Sequence, residues 1–452
     1  MPSPEKKIPK RILSSLMNSL AAGVVPRNGA PYIAIGRTDE ITAMLGDLEN
    51  VAEGGASMRF VIGKYGSGKS FIMQLIRGYA LDRDFITADA DLSPERRICG
   101  SKGSGIATYR ELAKNISSKT SPDGGALPQL IAKWLSGLQS KLASDGLEPG
   151  GAEFERALSS EVYTAIGELE GQIGGFDFAS VINSYRTAYQ NGDEPTKSAC
   201  MRWLRGEYQT KTEARSVLRV GGIIDDDNWY DYLKLLALFV RRIGYKGLVV
   251  FIDECVNLYK ITNRQSRENN YEKILSMFND TLQGRAPGMA MIFGGTPQFL
   301  EDTRRGLFSY EALRSRLADG KFAQAGYKNM VGPVIRLRRL SDDELYALIT
   351  RVTKLHAQYY NWEPRITEED MTAFMRHCLS RAGADSLITP REIIRDYMSV
   401  LNILNQNPDA TFGRLLGEGA VTLSHTDSDP DELKAQEQPS GGVDISSVEF
   451  DI

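Results

Sequence analysis

Histidine and cysteine are scarce in this chain, at three and four of 452 residues. Cys99, Cys200, Cys255 and Cys378 stand far apart and form no C-x-x-C pair, which removes a disulfide framework and a thiolate zinc site from consideration. His356, His377 and His425 show no metal-ligand spacing and leave little room for histidine-based catalysis. No apolar run approaches membrane-spanning length. The basic start, Lys6, Lys7, Lys10 and Arg11, lacks the apolar core of a signal peptide, so a cytoplasmic location away from membranes is expected. Charge of one sign is missing too. The net charge is -4, but residues 426 to 452 hold eight acidic side chains against Lys434, which leaves the body at about +3. A body so near neutrality neither demands nor excludes nucleic acid. With 42% hydrophobic and 25% charged residues, the chain is an ordinary soluble protein long enough for two or three domains.

What is present is a phosphate-binding loop. Gly63, Lys64, Tyr65, Gly66, Ser67, Gly68, Lys69 and Ser70 fit G-x-x-x-x-G-K-[ST] at every fixed position, between an apolar run at 58–62 and helically spaced residues from Phe71. The pattern works by geometry: the glycines let successive amides and a helix N-terminus face the phosphates. Lys69 then reaches the β- and γ-phosphates, and the Ser70 hydroxyl suits Mg²⁺, which prefers hard oxygen ligands.

A second signal follows far downstream. The run Leu248–Ile252 ends in Asp253 and Glu254. A buried parallel strand delivers such a pair to the ligand-binding edge of an open α/β sheet. Asp253 is expected to serve the metal, and Glu254 to act as general base toward the attacking water. Glycine-rich loop and acid pair stand about 190 residues apart, more than a compact nucleotide-binding core needs. Helical periodicity around Leu127–Leu142, Val162–Ile173, Val181–Tyr189 and Lys197–Tyr208 marks an inserted helical block. Trp203 reads as core in preference to an aromatic–basic contact surface with Arg202 and Arg205. Arg96, Arg97 and Lys102 read first as a solvated loop and second as a phosphate or nucleic-acid contact.

Residues 5 to 22 are expected to form an amphipathic helix. Capping boxes at Ser341/Glu344 and Thr389/Glu392 open two C-terminal helices, with a third between them starting at Thr367. The resulting division is an N-terminal arm over 1–34, core over 35–117, insertion over 118–225, core over 226–332, lid over 333–416 and an acidic tail over 417–452 expected to be disordered.

Ile35-Gly36-Arg37, about 25 residues before the loop, resembles the adenine-side motif of AAA+ ATPases related to origin-recognition proteins, and no N-K-x-D guanine signature follows downstream. That resemblance implies an α/β fold, an AAA+ P-loop NTPase core with a parallel sheet, a helical insertion and a helical lid. It implies ATP and Mg²⁺ as cofactors. It further implies sensor 1 roles for Thr296 or Gln298, an arginine finger at Arg316 or, second, Arg314, and a sensor 2 role for Arg391. Thr296 before Pro297 is also common turn chemistry.

Gly23-Val24-Val25-Pro26, Leu92-Ser93-Pro94-Glu95-Arg96-Arg97 and the string from Arg305 to Leu317, with the motifs above, resemble the BrxD-type ATP-binding proteins of BREX phage-defence systems over about residues 8 to 410. The resemblance implies a homo-oligomeric ATPase working with DNA, directly or through an Lhr-like helicase or another defence protein. The origin-recognition pattern continues into a winged helix. Here the lid is followed by the acidic tail instead, so DNA contact is expected from the core, the insertion or a partner. The alternative expectation is an ATP-dependent switch or scaffold with little turnover.

Overall fold

Five short apolar stretches form one parallel sheet in the computed structural model, which describes residues 8–100, 103–319, 329–379 and 389–417. The strands are β1 (Ala56–Gly63), β2 (Ile86–Asp91), β3 (Leu248–Asp253), β4 (Met289–Gly295) and β5 (Val334–Leu337). Their order is β2-β3-β4-β1-β5, every neighbouring pair parallel. The strands read as near-continuous apolar runs because both faces are covered. Val61, Val249, Phe251, Ile292 and Ile335 pack on one side with the Thr38–Ala52 and Lys69–Asp82 helices. Phe60, Ile62, Val250, Ile252 and Phe293 face the other side, beneath the Ser104–Lys114, Trp229–Arg242 and Arg264–Leu282 helices. This is an α/β P-loop NTPase core, in which every strand ends at the same edge of the sheet.

Val334–Leu337 is a difference from the sequence reading, which grouped it with the C-terminal lid. It lies beside β1, with Phe60 opposite Val334 and Gly63 opposite Leu337. Four residues are too few for periodicity to announce a strand, and pairing with β1 decides the matter.

Between β2 and β3 run helices Leu127–Ser144, Ala152–Glu170, Gly175–Asn191, Glu194–Leu204 and Lys211–Leu218. Their buried side chains, Leu130, Ile131, Val181 and Ile182 among them, belong to the same apolar cluster as Val250 and Ile252. Trp203 is part of this core: its indole N–H donates to the Gly222 carbonyl at 3.0 Å and its ring meets Tyr232 edge-on. Arg202 stacks over Tyr208 and pairs with Glu213 at 2.9 Å.

The sheet, its helices and the inserted block form one compact unit, Val25–Leu340. A second unit comprises the described parts of Met1–Val24 and Ser341–Ile452. In it the Lys10–Ala21 helix buries Leu13, Leu16, Met17 and Leu20 and packs with helices Asp342–Tyr360 and Pro390–Gln406. Both capping boxes are formed, each hydroxyl accepting from the third backbone amide of its helix. His356 is buried in this unit, accepting at Nδ1 from the Trp362 indole at 2.9 Å and meeting Asn402 at Nε2 at 3.1 Å. Residues 1–7 of the expected first helix and arm, and the acidic tail from 418 onward, lie outside the described residues. No helix among the described residues is long and apolar enough to cross a membrane.

Candidate functional site

The chain leaves β1 at Gly63 and re-enters regular structure at Lys69, so the glycine-rich loop bridges a strand end and a helix start. Gly66 and Gly68 hold φ of 75° and 88°, a region L side chains rarely enter, and Gly68 is the residue from which the helix departs. Gly63 is closely packed: a Cβ there would lie 2.2 Å from the Ser67 Oγ and 3.1 Å from the Leu337 carbonyl oxygen. That Oγ is buried and has no hydrogen-bond partner among the described residues. The Lys69 ammonium folds back over the loop, donating to the Gly63 carbonyl at 2.9 Å and the Lys64 carbonyl at 3.3 Å. Lys64 and Tyr65 are exposed on the loop.

Ser70, on the first turn of that helix, donates its hydroxyl to Asp253 Oδ2 at 2.9 Å across 183 positions of sequence. The other Asp253 oxygen accepts from the Glu254 amide at 2.8 Å. Space for the carboxylate comes from β4: a Cβ on Gly294 would fall 2.2 Å from Asp253 Oδ1. The Cys255 amide donates to the Gly294 carbonyl at 3.0 Å and holds the end of β3 against β4. Cys255 itself is buried, and burial pushes its thiol well above the usual cysteine range, which fits a packing residue and not a nucleophile. Glu254 is exposed and sits at φ 57°, left-handed backbone that costs a non-glycine residue energy.

Asp91, at the end of β2, is opposite Asp253 in the strand register. Although the residue reaches solvent, desolvation, then Asp253 and Asp89, hold its carboxyl above the usual carboxylate range. Asp91 is absent from the site candidates drawn from the sequence. Like Asp253 it closes a strand, but Thr87 and Asp89 interrupt the apolar run before it.

Arg37 is buried and bonded to backbone carbonyls. Its Nη2 donates to the Ser67 carbonyl at 2.8 Å and the Arg338 carbonyl at 2.6 Å, and Nη1 lies 3.4 Å from Glu40. The guanidinium ties the glycine-rich loop to the chain just beyond β5. Ile35 and Gly36 are half-buried beside it, Gly36 at φ 71°.

Thr296 follows β4 and is buried; its hydroxyl accepts from the Phe299 amide at 3.3 Å and caps the Pro297–Glu301 helix, while Gln298 is exposed. Arg314 and Arg316 project from the short Glu311–Leu317 helix, which is anchored by buried Leu313 and Leu317. Among the described residues, Arg314 pairs with Glu311 at 3.7 Å and Arg316 donates to the Ala312 carbonyl at 2.7 Å, both within that helix. Arg391 is exposed on the first turn of the Pro390–Gln406 helix in the second unit.

The structure therefore brings together the loop, Ser70, Asp253, Glu254, Asp91 and, as a brace, Arg37. Two oxygen donors from distant segments, the Ser70 hydroxyl and the Asp253 carboxylate, converge at 2.9 Å, a pair of hard ligands that suits Mg²⁺. A family model described as BREX system ATP-binding protein BrxC/D matches residues 8–420. No curated protein matches the chain.

Proposed function

Because the chain belongs to the BrxC/D family of BREX system ATP-binding proteins, we propose that it hydrolyses ATP with Mg²⁺ and applies that turnover to DNA, directly or with a helicase partner, in defence against phage. The observation that carries this reading is the 2.9 Å contact between Ser70 Oγ and Asp253 Oδ2, beside an exposed Glu254. Asp253 would serve metal-assisted nucleotide binding in any case; the exposed Glu254 beside it is the carboxylate that turnover calls for.

In this reading the amides after Gly63 and the Lys69 ammonium hold the phosphates, Lys69 exchanging its two carbonyl partners for phosphate oxygens. Ser70 and Asp253 are the residues that would hold Mg²⁺. When bound, the ion neutralises charge on the transferring phosphoryl group. Glu254 orients and deprotonates the attacking water, and Asp91 adds a second carboxylate beside Asp253. Thr296 or Gln298 contributes a hydrogen bond from the adjacent strand end. Arg316, or Arg314, supplies a guanidinium to the site of a neighbouring copy, which makes the homo-oligomer the active form; their contacts on their own helix leave both side chains exposed. Arg391 is the corresponding lid residue.

The test is ATP turnover by the purified chain, alone and with DNA over a salt series, beside Lys69→Ala and Arg316→Ala. Turnover abolished by Lys69→Ala and lost in Arg316→Ala under assembling conditions is expected. Nucleotide binding with turnover no faster than that of Lys69→Ala would replace this reading with an ATP-dependent switch.

A further inference from the structure

Beyond the end of β2, the loop carrying Arg96, one face of the Ser104–Lys114 helix and the turn at Arg205–Glu207 line an open pocket of about 570 Å³. Its charged lining is Arg96, Arg110, Lys114 and Arg205 against Glu111 and Glu207. Cations therefore exceed carboxylates by two. The opposite face of the helix buries Ile106, Tyr109, Leu112 and Ala113, so the residues at 110, 111 and 114 form a fixed polar wall.

The far wall is fastened to that helix. The Tyr109 hydroxyl donates to the Leu204 carbonyl at 2.8 Å and Arg110 Nε to the Gly206 carbonyl at 2.7 Å. Gly206 has φ 68°, and a Cβ there would fall 2.7 Å from Ile106 Cδ1, so the turn presenting Arg205 depends on glycine.

The two ion pairs of the lining are loose. Arg96 lies 3.6 Å from Glu111, and Arg205 lies 4.0 Å from Glu207, both beyond hydrogen-bond length. Arg96 Nε is buried and has no hydrogen-bond partner among the described residues. A pocket whose lining has surplus cationic donors held in loose ion pairs suits an acceptor-only anion with several oxygens. No aromatic side chain lines it, so nothing in it stacks on a base.

We propose that this pocket binds a phosphate group, supplied by the backbone of a nucleic-acid strand or by a small phosphorylated molecule, at a site separate from the glycine-rich loop. The proposal stands apart from ATP hydrolysis, because binding alone reads it.

The full chain is saturated with adenylyl imidodiphosphate to occupy the nucleotide loop. It is then titrated with fluorescein-labelled oligothymidylate, followed by anisotropy, and with inorganic phosphate, followed by calorimetry. Lys114→Gln with Arg205→Gln is expected to weaken binding at least about tenfold, since each removes a charge-assisted contact. Lys114→Arg with Arg205→Lys retains binding. Lys114→Gln alone, at an exposed position, serves if the double variant does not fold. Oligothymidylate binding that falls steeply with salt and is displaced by phosphate identifies a nucleic-acid backbone. Variant-sensitive binding of phosphate without oligothymidylate identifies a small phosphate ester. Binding of neither probe, or binding equal in wild type and both Gln variants, overturns the proposal.

Discussion

Glu254 offers a test in which stability and activity move in opposite directions. Its φ of 57° places an L residue in left-handed backbone, at a cost of roughly 1–2 kcal/mol. Glycine meets no such penalty there but loses roughly 0.5–1 kcal/mol more chain entropy on folding. Glu254→Gly is therefore expected to stabilise the Val25–Leu340 unit by about 0.5–1 kcal/mol, a rise of about 1–3 °C in its unfolding midpoint. Glu254→Gln is the control, removing the charge while keeping the side chain and the strained backbone. Both variants should lose turnover by about 10²- to 10⁴-fold, the usual contribution of a general base, while still binding nucleotide. Calorimetry and a turnover assay on the same preparations decide the matter. A midpoint for Glu254→Gly no higher than that of Glu254→Gln would show that this backbone is not strained. Turnover retained by Glu254→Gln would remove Glu254 from the chemistry.

Three further outcomes follow from the geometry. Gly294→Ala places a Cβ 2.2 Å from Asp253 Oδ1; displacement of that carboxylate should destabilise the unit by about 1–3 kcal/mol and lower turnover more than nucleotide affinity, measured as a kcat loss exceeding the KM change. Arg37→Ala strips the Ser67 and Arg338 carbonyls of their donor; a loss of about 3–5 kcal/mol and weaker nucleotide binding from a loosened loop are expected in denaturant unfolding and equilibrium titration. His356 has its pKa lowered by burial, so its contribution is present above the unfolded histidine value of about 6.5 and is lost as pH falls through the folded value, because protonation at Nδ1 ejects the Trp362 bond. The midpoint of the second unit should drop on acidification below about pH 6.5, and His356→Phe should flatten that dependence.

Legibility in the sequence followed the range of each interaction. The glycine-rich loop was readable because its chemistry fixes local spacing, and the Asp253–Glu254 pair because a strand end needs only its own apolar run. Asp91 escaped although it too closes a strand, since its meaning lies in register with Asp253 on another strand. Arg37 was readable as part of a motif, yet its bonds to Ser67 and Arg338 depend on β5 lying beside β1. The inserted helices announced themselves by periodicity; that they share one apolar cluster with β3 did not, because helical spacing shows which face is buried and not against what. The pocket at Arg96 was visible only as a small basic loop. The turn that completes it comes from Arg205, joined to the wall by bonds from the Tyr109 and Arg110 side chains to backbone carbonyls about 95 residues on, a pairing no local spacing encodes.

The order of strands in the sheet also sets a timetable for synthesis. β1, which ends in the glycine-rich loop, lies between β4 and β5, and both are made after the inserted helices. Ser70 precedes Asp253 by 183 positions, an interval on the order of 10–40 s at ordinary rates of translation. Throughout it, both edges of an apolar strand wait without their partners on a growing chain. The inserted helices share their apolar cluster with β3, so their core too is incomplete until β3 emerges, and the nucleotide site closes only when β4 follows.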